Sequence, residues 1–591
     1  MSLHPNDLAR RGRRTSWALL ALFTLLLGVF FRTQILQHSR YTQQSEENRL
    51  REVPMPAPRG IIYDRNHAIL AENVPGYSVQ LLTPNADSLR ATLRRLSALV
   101  PITDDQIEVA ARRYLRAPAR PVVVFADASF EVVSVIEERR MEFPGLVIQS
   151  APKRFYPAGA AIAPVMGYVG EITESELADT LYRGYRSGQS VGKAGLEREY
   201  EGKLRGRDGS RFVEVDARGR VVREAGARED LVPEAGPSLT TNIDVELQKV
   251  VADLFADSLQ GGAIAIEPHT GEVLALYSAP TYDPNKFIGG IPPELWKSLS
   301  TDPRRPLYNK VIQGRYPPGS TWKLATAAIA LQEGVATLGD MMAEPCKGEF
   351  QYGNRAFHCW EKHGHGRLTL QQAIEVSCDI YFYQLGIKIG LTRLVAGGIS
   401  LGARDRSGID LPDEARPTFP NGVVQDYYDK KYGKGGWSTA VVLNLAIGQG
   451  ENDQTVANMG RFYTALATDG SAATPTVVQR APQRQVIMRL TPAQLEGVRA
   501  AMAGVISRGT AQSAQIQGVI LAGKTGTAQN SQDPLHDHAW FVGFAPAHDP
   551  KIVVAVMLEF GGHGDRAARI ASKIIQAYLH VAPATLLSTD G

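Results

Sequence analysis

The chain has 591 residues, of which 44% are hydrophobic and 21% are charged, a balance typical of folded globular proteins and unlike that of disordered chains. This length exceeds what one hydrophobic core serves, so we expect several domains, one of them large. Lys and Arg number 64 and Asp and Glu 61, and the resulting net charge of +3 argues against a dedicated nucleic-acid binder, which would carry a strong basic excess. Three cysteines cannot pair completely, so a disulfide framework does not hold this fold together.

The N-terminus carries the first functional signal. An arginine-rich stretch at 10–14 precedes an uncharged apolar run of 17 residues at 15–31, at the short end of what crosses a bilayer core. Trp17 and Arg32 suit the two interfaces, and the arginines predict a cytoplasmic N-terminus with the remainder exported. The sequence after the run, FRTQILQHSR, offers no small-residue cleavage site, which favours an uncleaved anchor over a signal peptide. Nothing in the run is amphipathic, which argues against a buried core helix.

The exported part divides at a linker. Residues 58–73 (PRGIIYDRNHAILAEN) alternate apolar residues around a turn and predict a β-hairpin. Short strands and helices follow, and residues 202–222, punctuated by glycines, predict another hairpin. The Pro- and Gly-containing segment 232–237 marks the main boundary. We therefore predict a cytoplasmic tail at 1–14, a transmembrane anchor at 15–32, a mixed, β-rich domain at 33–237 and a catalytic domain at 238–591.

The region after the linker alternates strand-like and helix-like segments. Residues 240–259 predict a strand followed by an amphipathic helix, and residues 261–280 predict two apolar strands. Near the other end, residues 537–546 and 552–560 predict strands, and residues 568–581 predict a closing helix. Strands at both ends with helical segments between them predict an α+β or α/β fold with one sheet flanked by helices.

The first candidate catalytic segment is PPGSTWKLATAAIALQEG, at 317–334. Pro and Gly interrupt regular structure before Ser320, so Ser320 falls at a helix N-terminus with Lys323 one turn on, on the same face. A desolvated lysine can remove the proton that makes a serine hydroxyl a poor nucleophile, and the helix N-terminus suits a developing oxyanion. Taken alone, the S-x-x-K spacing favours a simpler interpretation, an N-cap serine with a solvated lysine.

The second candidate is the triplet Ser377-Cys378-Asp379, which lies in a stretch with a helical pattern, LQQAIEVSCDIYFYQLG. A hydroxyl two residues from a carboxylate can pass protons and accept hydrogen bonds from a substrate. Standing alone, the triplet would be read as polar residues on a helix.

The third candidate is GKTGTAQ, at 523–529, after the apolar residues GVILA. On a strand edge, Lys524, Thr525 and Thr527 offer a cation and hydroxyls suited to a carboxylate, and the glycines allow close approach of a substrate backbone. Residues 518–525 also match the phosphate-loop pattern G-x-x-x-x-G-K-[ST]. The context disfavours that alternative, because the four spacer residues predict a strand and no helix follows the lysine.

In this order, S-x-x-K, S-x-[ND] and K-T-G are the signature of penicillin-interacting serine enzymes. The chain resembles the class B penicillin-binding proteins and, within them, the elongation-specific penicillin-binding protein 2 group. The resemblance covers nearly the whole chain and rests on several motifs: PRGIIYDRN, GKAGLEREYEGKLRG, IEPHTGEVLALYSAPTYDPN, YPPGSTWK, NLAIGQGENDQT, GKTGTAQ and HAWFVGFAP.

The resemblance implies a peptidoglycan D,D-transpeptidase inhibited by β-lactams. Ser320 would attack the penultimate D-Ala carbonyl of a stem peptide, with Lys323 as base and Ser377 relaying protons to the leaving amine. Backbone N–H groups of Ser320 and Thr527 would form the oxyanion hole. The substrate carboxylate would be held by the third motif: Lys524, Thr525, Gly526 and Thr527. One departure is Asp379, where the broader family has Asn; an ionised Asp cannot donate, which leaves its contact with the substrate amide open.

A second set of residues lies between the first two motifs. Cys346, Cys359, His365 and Cys378 follow the pattern C-x12-C-x5-H-x12-C, a closed set of three thiolates and one imidazole typical of structural zinc. Some members of the penicillin-binding protein 2 group have a similar site with mixed Asp, His and Cys ligands. The alternatives are three buried thiols, or one disulfide and a free thiol, and spacing does not rule out His358 or His363 as ligands. The chemistry itself requires no cofactor.

Three classes of function remain. The leading one is a transpeptidase without its own glycosyltransferase, because the roughly 200 residues between anchor and linker show no catalytic carboxylate motif. The family implies that residues 33–237 form a non-catalytic, dimerisation-like pedestal for partners of the elongation machinery, notably a SEDS-type glycosyltransferase. A β-lactamase would need neither anchor nor pedestal, and a penicillin sensor would need a cytoplasmic output domain. A division-specific relative is disfavoured by Asp379 and the cysteine set.

Overall fold

The N-terminal helix is long and apolar enough to cross a membrane. The computed structural model describes residues 5–41, 50–116, 121–143, 145–215, 221–223, 229–255, 258–530, 533 and 536–581. Its first helix, α1 (Pro5–Phe31), continues into a π-helical turn, and the apolar stretch Ala9–Leu36 is unburied. The predicted anchor at 15–32 lies within this stretch, and residues 1–4 of the predicted tail lie outside the described residues.

The rest of the chain contains both strands and helices. The strands are β1 (Leu50–Met55), β2 (Ile62–Tyr63), β3 (Ile69–Leu81), β4 (Val122–Ala128), β5 (Leu146–Phe155), β6 (Val169–Glu171), β7 (Ser190–Gly192), β8 (Gly209–Val215), β9 (Val221–Arg223), β10 (Leu239–Thr240), β11 (Gly261–Ile266), β12 (Val273–Ala279), β13 (Glu349–Tyr352), β14 (Arg355–His358), β15 (Ser471–Ala473), β16 (Arg484–Val486), β17 (Ala522–Ala528), β18 (His538–Ala545) and β19 (Ile552–Leu558). The helices after α1 are α2 (Ala86–Leu96), α3 (Asp104–Arg116), α4 (Phe130–Glu138), α5 (Ala163–Met166), α6 (Glu174–Leu177), α7 (Gly195–Glu199), α8 (Glu201–Leu204), α9 (Val245–Leu254), α10 (Pro293–Thr301), α11 (Lys323–Gln332), α12 (Leu370–Glu375), α13 (Asp379–Ile389), α14 (Leu391–Ser400), α15 (Val424–Tyr432), α16 (Val441–Ala446), α17 (Val456–Ala467), α18 (Pro492–Ser507) and α19 (Asp565–Tyr578).

The chain forms two compact units, each built from separate segments. The first unit comprises Met1–Pro58, Pro75–Pro152 and Gly206–Ala235, and the second comprises Arg59–Val74, Lys153–Arg205 and Gly236–Gly591. Because both units are discontinuous in sequence, the division between residues 237 and 238 stays a prediction.

The first unit mixes helices and strands. Strands β1, β8 and β9 form an antiparallel sheet, and the turn of the predicted hairpin at 202–222 lies outside the described residues. Helix α2 starts at Asn85, whose side chain accepts a hydrogen bond from the Ser88 N–H. Its leucines Leu89, Leu93 and Leu96 recur at helical spacing and are buried in the core of this unit.

A five-stranded antiparallel sheet forms the centre of the second unit. Its strand order is β12-β11-β19-β18-β17, so strands from both ends of the predicted catalytic domain lie side by side. Strands β11, β12, β18 and β19 are buried at every position, and helices α9, α17, α18 and α19 pack on the sheet. The predicted fold, a sheet flanked by helices, is confirmed; the antiparallel pairing places it on the α+β side.

Helix α11 lies in the buried core of the second unit. Every residue of this helix from Lys323 to Leu331 is buried. A helix that is apolar on all sides lies inside a protein core, and here it packs against α13 and α14. The residues at its start are therefore held by packing on every side.

Two further local predictions concern residues 58–73 and residues 519–522. The predicted hairpin at 58–73 is confirmed by the antiparallel pairing of β2 and β3, with Asp64 Oδ1 accepting hydrogen bonds from the N–H groups of Asn66 and Ala68. The strand predicted for the spacer residues at 519–522 is wrong, because β17 begins only at Ala522. Gly518 adopts φ +77° there and turns the chain before the strand begins.

Candidate active site

Ser320 lies in a short 3-10 turn, Gly319–Trp322, that leads directly into α11. Gly319 adopts φ +51°, and a Cβ at this position would lie 2.7 Å from the carbonyl oxygen of Thr527, so only glycine fits. The Gly319 N–H donates to the carbonyl of Gly448 at 3.0 Å. The turn is thus fixed from two sides, and the helix N-terminus predicted for Ser320 is confirmed.

Lys323 joins the first two motifs. Its side chain is fully buried, and its Nζ donates to Asp379 Oδ1 at 2.7 Å. The same ammonium donates to the Ser377 carbonyl at 2.7 Å and lies 3.3 Å from Ser377 Oγ. Within the part of the chain that the structure describes, the Ser320 hydroxyl makes no hydrogen bond, which leaves both its proton and its lone pairs available.

Both oxygens of Asp379 are engaged inside the protein. While Oδ1 accepts from Lys323, Oδ2 accepts the backbone N–H of Trp360 at 3.1 Å. The indole N–H of Trp360 donates to the carbonyl of Val376 at 3.1 Å, and the residue is 56% exposed. Asp379 therefore orients Lys323 and Trp360. Sequence reasoning missed Trp360, whose only signal was its place beside Cys359.

Ser377 does not lie within a helix, which corrects the helical pattern expected for this stretch. Helix α12 ends at Glu375, α13 begins at Asp379, and Ser377 between them adopts φ +57°. A non-glycine residue in this conformation is strained by roughly 1–3 kcal/mol, so the surrounding structure must hold it. The N–H of Cys378 donates to the Ala373 carbonyl at 3.0 Å. The carbonyl of the strained residue, Ser377, accepts a hydrogen bond from Lys323.

The third motif forms the edge strand of the sheet, as the sequence predicts. Strand β17 pairs with β18 on one side only, and Gly526 packs so closely on the Ser320 turn that a Cβ would lie 2.9 Å from the Pro318 carbonyl. The N–H and C=O of a strand residue point to the same side. Because the Thr527 carbonyl points at Gly319, its N–H also faces the turn. The strand continuing past Lys524 removes the phosphate-loop alternative.

Lys524 gives the site an excess of positive charge. Its side chain is buried, and its Nζ donates to the Thr525 carbonyl at 3.1 Å. Burial, followed by repulsion from Lys323, lowers the pKa of Lys524 well below its usual range, whereas Asp379 acts in the opposite direction. Two lysines and the carboxylate of Asp379 therefore lie close enough to influence one another electrostatically.

A group of metal-ligand side chains lies beside the second motif. Ligand atoms of Cys346, Cys359, His365 and Cys378 all lie within 4.8 Å of one another. His365 Nδ1 is 3.6 Å from the Sγ atoms of Cys346 and Cys359. A zinc tetrahedron with Zn–S and Zn–N bonds of about 2.3 and 2.0 Å has edges of roughly 3.5–3.8 Å, and the two distances from His365 Nδ1 fall in this range.

These cysteines form no disulfide with one another, and the alternative of three buried thiols stays open beside the zinc site. All three cysteines are free and buried. Hydrogen bonds from Cys378 and His365 lower the pKa of Cys359, whereas the hydrogen bond with Cys359 and burial raise the pKa of Cys378. His358 lies outside the group, with Nδ1 3.9 Å from Glu349, and His363 is exposed.

Comparison with known proteins agrees with this geometry. Residues 261–576 match the family described as penicillin binding protein transpeptidase domain, and residues 54–239 match the penicillin-binding protein dimerisation domain. The peptidoglycan D,D-transpeptidase MrdA of Escherichia coli K12 is 31% identical, with 96% of this chain and 93% of that protein covered. The structure of penicillin-binding protein PBP2 in complex with MreC from Helicobacter pylori is similar, with a TM-score of 0.79, 27% identity, and 90% and 99% of the two chains covered. A chain from a peptidoglycan synthase complex that coordinates polymerization and crosslinking has a TM-score of 0.69 at 28% identity, with 98% and 100% covered.

Proposed function

The chain belongs to the elongation-specific class B penicillin-binding proteins and is a peptidoglycan D,D-transpeptidase, and from this premise we propose that Ser320 is its nucleophile. The observation that carries the proposal is the convergence of three distant segments. Buried Lys323 contacts Ser377 and Asp379, and the strand carrying Lys524 packs on the Ser320 turn. Acyl transfer needs a nucleophilic hydroxyl, amines and an open strand edge close to one another, and these segments bring them together.

In the acylation step, Ser320 Oγ attacks the carbonyl carbon of the penultimate D-Ala of a stem peptide. Lys323, in its neutral amine form, takes the hydroxyl proton, and the oxyanion is stabilised by the N–H groups of Ser320 and Thr527. The amide C–N bond then breaks, and the proton taken up by Lys323 passes through the Ser377 hydroxyl to the amine of the departing D-Ala.

In the second step, an amine from a neighbouring stem peptide attacks the acyl-enzyme. The new amide is the cross-link, and the Ser320 hydroxyl is regenerated. The substrate carboxylate is held by Lys524 and by the hydroxyls of Thr525 and Thr527, while Gly526 lets the strand lie close to the nucleophile. A β-lactam acylates Ser320 as in the first step, and the resulting acyl-enzyme does not proceed to the second step.

The test is an intact-mass time course of the detergent-solubilised full chain with a penicillin, using Ser320→Ala as the variant and Ser298→Ala as the control, because Ser298 is exposed on α10. We expect a stable one-to-one adduct that maps to Ser320 and is lost only in Ser320→Ala. Rapid return to the free mass with consumption of the drug would indicate a β-lactamase. The absence of any adduct in folded protein would contradict the nucleophile assignment.

We further propose that Cys346, Cys359, His365 and Cys378 hold a structural zinc ion. A bound zinc would neutralise the thiolates and join three segments, one of which carries Ser377 and Asp379. We expect one zinc per chain by elemental analysis, lost in His365→Ala but kept in the control His363→Ala. Chelation should lower the melting temperature of the unsubstituted protein, and a protein that retains its stability without metal would contradict this role.

The membrane topology and partners are also proposals. The arginines at 10–14 support a cytoplasmic N-terminus with a periplasmic or extracellular catalytic domain. Relatives bound to MreC or found in a peptidoglycan synthase complex support contacts with the elongation machinery, including a SEDS-type glycosyltransferase, through a pedestal at 33–237. A C-terminal alkaline phosphatase fusion should be active and an N-terminal fusion inactive; the reverse pattern would overturn the orientation.

A further inference from the structure

Thr510 contacts the third motif from outside the sheet. Its Oγ1 lies 2.6 Å from Oγ1 of Thr525, the first hydroxyl of the K-T-G strand. Thr525 is 7% exposed, and Thr510 lies at the half-buried end of the segment that follows α18. Among the residues that the structure describes, the Thr510 hydroxyl has no other hydrogen-bond partner. The contact therefore commits this hydroxyl to Thr525.

The segment carrying Thr510 is fixed to the second motif. Arg508 donates from Nε and Nη2 to the two carboxylate oxygens of Glu375, at 2.9 and 2.5 Å. Gly509 lies between Arg508 and Thr510. A Cβ at Gly509 would be 2.3 Å from the Glu375 carbonyl oxygen, so the two backbones approach as closely as glycine allows. Glu375 ends α12, two residues before Ser377. The same short segment thus holds the second motif at one end and touches the third at the other.

The hydroxyl pair has a definite capacity for hydrogen bonding. Two hydroxyls carry two protons, and the bond between them uses one. When Thr510 donates to Thr525, the Thr525 proton stays free for an external acceptor, and a carboxylate can only accept. A donor whose direction is already set loses less entropy on binding an anion.

We propose that Thr510 is a positioning residue for the substrate carboxylate, acting by orienting the Thr525 hydroxyl toward it. The inference rests on the proposed function of the K-T-G strand and adds a residue to it. Thr510 touches neither the scissile amide nor Ser320, so it sets affinity for the carboxylate end of the substrate. Its removal should change the acylation rate only for molecules that carry this charge.

The test compares two acylating probes on the detergent-solubilised full chain, a penicillin with its free carboxylate and the methyl ester of the same penicillin. Thr510→Val keeps the shape and removes the hydroxyl. We expect its acylation rate to fall about 10- to 30-fold with the acid and less than about threefold with the ester, in line with loss of a hydrogen bond to a charged group. An equal fall for both probes, or no fall with the acid, overturns the proposal.

Three further variants separate positioning from a structural role. Thr510→Ser restores the hydroxyl and should recover the acid rate to within about threefold, whereas a loss as large as in Thr510→Val overturns the proposal. In a Thr525→Val background, Thr510→Val should add less than about twofold; an additive loss would show that Thr510 does not act through Thr525. Ser507→Ala, an exposed hydroxyl three residues away, serves as the matched control for both probes.

The proposed function and this inference fail in different ways. If the unsubstituted protein forms no adduct, the Ser320 assignment is wrong and the inference falls with it. If the adduct forms but the loss in Thr510→Val does not depend on the probe's carboxylate, this inference alone is wrong. The ester rate reports the folded fraction of each variant and keeps the comparison valid if Thr510→Val lowers stability.

Discussion

Two buried clusters of charge in the second unit differ in their balance. In one, Arg59 lies 2.8 Å from carboxylate oxygens of both Glu197 and Glu201, and Arg154 lies 2.7 Å from Glu197. In this cluster, two guanidinium groups form ion pairs with two carboxylates. At the candidate active site, two lysines share the single carboxylate of Asp379.

The balance decides what each cluster does. Although burial raises the pKa of Glu197, attraction from Arg154 and Arg59 outweighs it and the pKa is lowered, so the carboxylate stays ionised. In the unbalanced cluster, burial and Lys323 lower the pKa of Lys524. A compensated cluster holds segments together, whereas an uncompensated one keeps a proton that is easily moved.

Removing an amine from the unbalanced cluster should have the largest effect. Lys323→Met is expected to lower the rate of penicillin acylation about 10³- to 10⁴-fold, because no base remains beside Ser377, and Lys524→Met about 10²-fold. Stopped-flow acylation with a fluorescent penicillin measures both. Lys297→Met, on the exposed side of α10, is the control. A larger loss for Lys524→Met than for Lys323→Met would exchange the two assignments.

Breaking the balanced cluster should affect stability and spare the chemistry. Glu197→Gln leaves two guanidinium groups with one carboxylate and is expected to lower the free energy of unfolding by about 3–5 kcal/mol. Glu199→Gln, an exposed neighbour, is the matched control. Urea denaturation gives the stability, and the acylation rate per folded molecule should stay within about threefold. A large change in that rate at full stability would show that this cluster also serves catalysis.

A buried histidine next to the third motif should make stability depend on pH. His538 is 4% exposed, its Nδ1 accepts the Phe560 N–H at 3.2 Å, and burial lowers its pKa from 6.5 to about 4. Between about pH 4 and 6.5 the unfolded chain binds a proton that the folded chain does not, so stability falls as the pH is lowered through this window. The full loss is about 3 kcal/mol.

His538→Asn keeps an acceptor for the Phe560 N–H and removes the titrating group. Its stability relative to the unsubstituted chain should therefore improve from pH 7 to pH 4.5, as followed by the melting temperature at each pH. A difference that stays constant with pH would contradict the assignment.

An exposed ion pair should matter least. Arg211 and Asp230, in the first unit, lie 3.3 Å apart with side chains 49% and 40% exposed. Asp230→Asn is expected to change the free energy of unfolding by less than about 1 kcal/mol, because solvent screens the pair. A cost comparable to that of Glu197→Gln in the same urea assay would show that ion pairs here stabilise regardless of burial.

Much of the second unit was predictable because its signals are local. The hairpin at 58–73 and the strands at 261–280 are bounded by turn residues and alternate or cluster apolar side chains, which is enough to place them. The three motifs and the four metal-ligand residues were predicted because each carries its chemistry in residue type and order, and the structure brings each group together.

The rest depends on contacts between distant segments. Ser377 was placed in a helix because its neighbours favour one, but contact with Lys323 accompanies a left-handed conformation that no local pattern reveals. Thr510 was missed because a threonine after glycine is an ordinary turn residue until Thr525 is beside it. The discontinuous units could not be read from a linear boundary, since strand β3 passes from one unit to the other.

The burial of α11 from Lys323 to Leu331 has a consequence for which substitutions this protein can tolerate as it evolves. No residue from Lys323 to Leu331 faces solvent, so almost any substitution on this helix would leave a cavity or a clash in the core that also positions the nucleophile. Substitutions that change ligand binding while preserving the fold should therefore arise at exposed positions near the site, such as Trp360. The helix that begins at Lys323 is the least adaptable part of the candidate site.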